Sequence, residues 1–199
     1  MIISLHYPKT AGTSFRETLR GIYKDKLYIH HTHKSLRDRD FYLDNKIEII
    51  HGHLILTDYL ELFPDAKIIT WMRNPVARAL SYYNYCKYKR ERPFSKNFGN
   101  RYKTFDEFIN SKRIDRLAND YNLYIGDMKM NDFYYVGTVE NYNRDIKVLS
   151  NMLNWGKYRI YHTNKSTNRE GATVSENHKK IISDKFNKEY ELYRLAIHK

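Results

Sequence analysis

Three stretches of this chain combine residue types that hold anions with residue types that move protons. The first is Pro8-Lys9-Thr10-Ala11-Gly12-Thr13-Ser14, set between the apolar run Ile2-Ile3-Ser4-Leu5 and an amphipathic segment. Small residues between a strand and a helix let the backbone approach an anion closely. The N–H groups of Thr10 through Ser14 then point at its oxygens, aided by the positive end of the helix. Gly12 removes bulk, Thr13 and Ser14 add hydroxyl donors, and Lys9 adds a full charge. The order differs from a Walker A loop, whose lysine follows the last glycine; here Lys9 precedes Gly12.

The second stretch is Arg73-Asn74-Pro75, with Ser81 two turns into the helix that follows. A guanidinium fork and a hydroxyl at the end of a strand suit a second phosphate. Arg78, on the same helix, reads first as a salt-bridge partner of a neighbouring element. The third stretch is His51-Gly52-His53. Two histidines two apart at a strand end share one face, which suits a general base with a helper or a pair of metal ligands. His31 and His33, with His30 beside them, form another such pair. Zinc therefore enters as a reading, but no cysteine or acidic ligand completes a recognisable pattern.

These residues need elements to position them. Ile2–His6 reads as a strand and Thr13 or Ser14 opens a helix to about Tyr23. Leu27–His31, Ile47–His53, Lys67–Met72, Phe133–Val136 and Tyr158–His162 read as further strands. Helices are expected at Asp58–Phe63, Pro75–Lys89, Phe105–Asn119 and Asn141–Leu153, the second with Asn74 as N-cap and Pro75 in the first turn. From Ser175 on, one long charged helix carries Ile181, Ile182, Phe186, Tyr190 and Tyr193 on its inner face. Lys34–Asp44 reads as a loop or irregular helix, Arg90–Lys103 as a basic, irregular loop and Asn164–Gly171 as a polar loop. Strands alternating with helices predict an α/β fold, a three-layer, P-loop-like parallel sheet flanked by helices, in one domain spanning 1–199. Ligands then sit beyond the carboxyl ends of the strands, where all three stretches fall.

The chain has 199 residues and a formal net charge of +12, which favours anionic partners without selecting one. One cysteine, Cys86, cannot form an intramolecular disulfide, and no apolar run approaches span length. A cytoplasmic protein is the expectation.

The segments His6-Tyr7-Pro8-Lys9-Thr10-Ala11-Gly12-Thr13-Ser14-Phe15 and Met72-Arg73-Asn74-Pro75-Val76-Ala77-Arg78-Ala79-Leu80-Ser81-Tyr82-Tyr83 together resemble sulfotransferases that use 3′-phosphoadenosine 5′-phosphosulfate (PAPS). The likeness is greatest to carbohydrate enzymes of the heparan sulfate 2-O- and 6-O-type. Ile50-His51-Gly52-His53-Leu54 and Val136-Gly137-Thr138-Val139-Glu140 extend it over roughly residues 4–150. The resemblance implies that the first segment holds the 5′-phosphosulfate end of PAPS, and that Arg73 and Ser81 hold its 3′-phosphate. It further implies that His53 is the general base, with His51 as its helper, and that PAP is the product. Asn74 stands where that family has an aspartate, a change that bears on helix capping. The implied partners are the nucleotide donor and a small-molecule or glycan acceptor, with no metal.

Two other readings stay open at this point. A Mg-dependent nucleotide phosphotransferase or kinase would need an acidic residue near a strand end, where this chain has histidines and Arg73. A basic nucleic-acid-binding module would use Tyr82, Tyr83, Tyr85 and Tyr88 as stacking platforms among Lys87, Lys89, Arg90 and Arg92.

Overall fold

Short β-branched runs buried on both faces require helices above and below them, and this requirement sets the architecture. The computed structural model describes residues 1–30, 37–88, 93–163 and 174–198, with the side chains of 93–96 left aside. Five parallel strands, β1 (Ile2–Leu5), β2 (Leu27–His30), β3 (Ile49–Gly52), β4 (Lys67–Met72) and β5 (Tyr135–Thr138), form one sheet in the order β2-β3-β1-β4-β5. The fold is α/β, as expected. The helices are α1 (Gly12–Tyr23), α2 (Arg39–Asp44), α3 (Leu56–Leu62), α4 (Pro75–Tyr88), α5 (Pro93–Arg101) and α6 (Phe105–Ile109). They continue as α7 (Lys112–Ala118), α8 (Asp120–Tyr124), α9 (Tyr142–Met152), α10 (Glu176–Lys185) and α11 (Asn187–Ile197).

The period-two alternation of the strands divides the core. Ile3, Leu5, Ile50, Ile68 and Val136 face one side, where α3, α8 and α11 cover them with Tyr59, Tyr121 and Leu192. Ile49, Ile69, Trp71 and Tyr135 face the other, against Phe15 and Leu19 of α1 and Ile146 and Leu149 of α9. A separate cluster fills the space between α4, α5, α6, α7 and α10, where Tyr83, Phe98, Phe105, Phe108 and Phe186 are buried. The chain leaves β1 toward β3 and β2 but leaves β4 toward β5. A crevice therefore opens beyond the carboxyl ends of β1 and β4, where such sheets bind ligands.

Several boundaries differ from the sequence reading. Pro93–Arg101, expected as loop, is helical because Phe98 and Tyr102 lie one turn apart and pack on Tyr82, Tyr83 and Phe108. The helix expected over Phe105–Asn119 breaks at Asn110-Ser111. There the Ser111 hydroxyl donates to the Phe108 carbonyl and accepts from the Arg113 N–H, a local turn that competes with the helix. The C-terminal helix breaks at Phe186, which ends α10 and precedes α11. β5 starts two residues later than expected and runs through Gly137, which pairs with Trp71 in the ladder; a Cβ there would meet the Trp71 ring at 2.4 Å. Tyr158–His162 joins no ladder; it crosses the α1 and α9 side, with Tyr158 bonded to Ser150 and His162 against Tyr142. The loop expected at Asn164–Gly171 lies outside the described residues, as do His31 and His33. None of the described helices is long and apolar enough to cross a membrane.

Candidate functional site

The loop after β1 is shaped by backbone strain at two non-glycine residues. Lys9 (φ 69°) and Ala11 (φ 63°, ψ 16°) are both left-handed, a conformation that costs roughly 1–2 kcal/mol in an L-residue. Ala11 leads directly into helical Gly12, and such a left-to-right-handed step turns successive N–H groups toward one concavity. No side chain caps the N-terminus of α1 and no acidic residue stands in its first turn. The orphan N–H groups and the positive helix end therefore remain for an anion. Gly12 is not there for its φ. A Cβ at this position would meet the ring of His6 at 1.8 Å.

The side chains of the loop divide in their roles. Thr10 is buried, and its hydroxyl donates to the Tyr7 carbonyl at 2.7 Å, so it fixes the loop from inside. The Ser14 hydroxyl donates to the Thr163 carbonyl (3.2 Å) and accepts from the Thr163 N–H (3.0 Å), which pins the 158–163 segment across the start of α1. Thr13 is half-buried at the same helix end. The Lys9 ammonium lies over the Tyr85 ring, 4.0 Å from its centroid, a cation–π contact that steadies the charge beside the loop.

β4 delivers Arg73 to the same place. Its guanidinium donates to the Lys9 carbonyl at 3.5 Å, and burial pulls its pKa down, with Glu140 acting in the opposite sense. The Asn74 side chain accepts from the N–H groups of Val76 (3.0 Å) and Ala77 (3.2 Å). It thereby caps α4 with Pro75 in the first turn. Ser81 is buried on α4. Arg78 is fully buried and forms the salt bridge read from the sequence. Its Nε and Nη2 donate to the two Glu189 oxygens (2.6 and 2.7 Å), Nη2 also to the Leu117 carbonyl (2.9 Å), and Nη1 to Asp120 (3.2 Å). The Tyr7 hydroxyl donates to Glu189 at 2.9 Å. The residue preceding the phosphate loop is thus tied to α4 and α11 through one carboxylate. Glu189 lies 111 residues from Arg78 in the chain, and nothing in a single sequence pairs them.

The histidines meet a third that sequence reasoning left without a role. β1 and β3 run in register with Ser4 opposite His51, and the same alternation carries His6 toward His53. Ser4 Oγ and His51 Nδ1 are 2.8 Å apart, and the His51 ring is buried against Phe15. The His6 ring stacks on His53 at 4.2 Å and 21°, and lies 5.4 Å and 19° from His51. Burial lowers the His51 pKa to about 3, with backbone hydrogen bonding at Gly12 and Ser4 opposing it only in part. Burial, then the neighbouring histidines, hold His6 well below its ordinary value too. Both rings are therefore neutral near pH 7. His53 is the half-exposed member, past the end of β3 and near Tyr124. The register Ser4–His51 was the available signal for His6, once β1 and β3 are set side by side.

His30 ends β2 inside the core, where its Nδ1 is 2.6 Å from the Tyr59 hydroxyl. Among the described residues no group of three His, Cys, Asp or Glu side chains is placed to hold a metal ion.

No protein-family profile matches this chain, and no curated protein does. Solved structures similar to it include two sulfotransferases. One is a sulfotransferase from Alicyclobacillus acidocaldarius, at 16% identity and a TM-score of 0.48, covering 98% of this chain and 94% of that one. The other is mouse sulfotransferase SULT7A1 complexed with PAP, at 16% identity and a TM-score of 0.45, covering 93% of this chain and 62% of the mouse chain.

Proposed function

We propose that this protein transfers the sulfuryl group of PAPS to an acceptor hydroxyl, that of a carbohydrate, and releases PAP. The observation that carries the reading is the convergence of two cationic anion-binding groups and a histidine at one end of the sheet. The uncapped start of α1 and Lys9 lie on one side of the β1–β4 crevice and Arg73, bonded to the Lys9 carbonyl, on the other. His6 then joins Gly12 of the loop to the ring of His53. Such a site suits a nucleotide phosphorylated at both ends.

In this reading the N–H groups of Thr10 through Ser14 hold the 5′-phosphate, and Arg73 with Ser81 hold the 3′-phosphate. As the bond from sulfur to the bridging oxygen breaks, Lys9 neutralises the charge growing on that oxygen. The acceptor oxygen forms the new bond to sulfur, and its proton passes to the imidazole of His53. His6 and His51 are held neutral near pH 7 by burial, so neither ring adds a charge of its own beside His53. Positioning and preorganised charge supply most of the acceleration, with base catalysis adding about 10²–10⁴-fold.

The test is transfer of labelled sulfur from PAPS, with wild type, Lys9→Ala and His53→Ala compared over an acceptor panel. Both variants are expected to lose most turnover, and only Lys9→Ala to lose nucleotide affinity. Near-normal turnover in His53→Ala would remove His53 from the reaction.

A further inference from the structure

A general base works only while its accepting nitrogen lies on the line of the proton, and an imidazole turns readily about its Cβ–Cγ bond. His53 stands past the end of β3 and is half-exposed, so its orientation depends on its neighbours. His6 meets it at two levels. The His6 backbone N–H donates to the Gly52 carbonyl at 2.7 Å, which carries the β1–β3 ladder to the residue before His53. The His6 ring then stacks on the His53 ring, with centroids 4.2 Å apart and planes 21° from parallel.

His6 is itself confined. Gly12 opens α1 so close to it that a Cβ there would fall 1.8 Å from His6 Cδ2, and the His51 ring lies 5.4 Å away at 19°. The contacts of His6 therefore run from the first residue of α1, at the mouth of the phosphate loop, to the ring of His53.

Two roles fit a histidine so placed, and the geometry separates them. A relay would take the proton from His53 and pass it on. Protons leave and reach an imidazole nitrogen in the plane of its ring, and rings that meet face to face offer each other no such line. Burial, then His51, His53, Arg16 and Lys9, all disfavour a charge on His6. His51 is no better placed to receive a proton, since its Nδ1 already lies 2.8 Å from Ser4 Oγ. A stacked ring acts differently. It restrains rotation, and it lays a neutral aromatic face against the imidazolium that forms when His53 takes the acceptor proton.

We propose that His6 is a positioning residue, which clamps the His53 imidazole in its working orientation and ties that orientation to the phosphate loop at Gly12. Its part in turnover rests on the sulfuryl-transfer reading; the clamp itself does not.

The experiment compares wild type, His6→Ala, His6→Phe, His53→Ala and the double variant His6→Ala/His53→Ala. Each is measured for transfer from labelled PAPS, for PAP affinity and for urea unfolding. His6→Ala is expected to lower kcat about 10–100-fold, the effect of a base left free to turn, with PAP affinity and the KM for PAPS changed less than about threefold. His6→Phe keeps a flat neutral ring without a nitrogen and should recover most of the loss. Should the larger ring unfold the protein, His6→Asn, flat and smaller, should recover part of it. In the His53→Ala background, His6→Ala should cause no further loss, because the clamp has nothing left to hold. Unchanged kcat in His6→Ala, or an equal further loss in the His53→Ala background, overturns the positioning role. A folded His6→Phe as inactive as His6→Ala overturns it in favour of a relay. Nuclear Overhauser contacts between the ring protons of His6 and His53 are expected in wild type, and their absence overturns the clamp whatever the variants do. Such contacts in a protein that neither binds PAP nor uses PAPS would leave the clamp standing and sink sulfuryl transfer. Turnover of PAPS without them would do the reverse.

Discussion

Replacing Gly12 with alanine tests how the phosphate loop and the histidines are joined. Gly12 is helical, so alanine should gain up to about 1 kcal/mol in helix propensity if space were the only other consideration. Space is lacking. The new Cβ would fall 1.8 Å from His6 Cδ2 and 2.3 Å from both Cγ and Nε2, so the ring must move by more than an ångström. It cannot slide freely, because it stacks on His53 at 4.2 Å and has His51 beside it. Overpacking of this kind costs about 1–3 kcal/mol. The net expectation is a loss of about 1–2 kcal/mol, seen as a fall in Tm of about 3–6 °C for a chain of this size. The assay is thermal and urea unfolding of wild type, Gly12→Ala, His6→Ala and the double variant. Once the ring is gone the Cβ has room, so the cycle should show a favourable coupling of about 1 kcal/mol or more. A Gly12→Ala protein as stable as wild type, or a cycle with no coupling, would refute the contact on which the loop–histidine link depends.

Two further expectations concern stability. The folded-state pKa of His51 is depressed to about 3, so as pH falls the unfolded chain takes up the proton first, from about 6.5 downward. Stability is fully retained above that range and falls below it. The His51 contribution is about 2 kcal/mol at pH 5, and His6 acts in the same direction. Urea titrations at pH 7 and pH 5 should show this loss and its reduction in His51→Gln; an identical pH slope in the variant would contradict it. Truncating Arg78 leaves Glu189 buried without its partner, so Arg78→Ala should lose about 3–5 kcal/mol or fail to fold, whereas Arg20→Ala on the surface should shift stability by less than about 0.5 kcal/mol. Comparable losses in the two variants would refute the structural role of Arg78.

Much of the frame was legible because single residues mark it. Lys67–Met72 is apolar and bounded by Pro64-Asp65 and Asn74-Pro75, and β4 and the start of α4 fall where those residues put them. The Pro8–Ser14 turn from β1 into α1 was legible, though its left-handed residues are Lys9 and Ala11, which have no outward sign of that conformation. Other features depend on contacts between distant parts of the chain. α5 is helical through its packing on α4 and α6, which a basic composition conceals. The break at Phe186 belongs to the packing that lets α10 cover α4 while Glu189 of α11 reaches Arg78, and the Ser14–Thr163 contact joins residues 149 apart. His6 lay within a motif already singled out. Its neighbours became apparent only with the register that sets Ser4 beside His51.

On the proposed function, the crevice between β1 and β4 takes a nucleotide phosphorylated at both its 3′ and 5′ positions. Calorimetry of the whole chain with PAP, AMP and ATP, each with and without magnesium, addresses it directly. PAP is expected to bind at least about tenfold more tightly than AMP, with magnesium not altering this and Arg73→Ala abolishing the difference. Equal affinity for PAP and AMP, or magnesium-dependent binding of ATP alone, would contradict it.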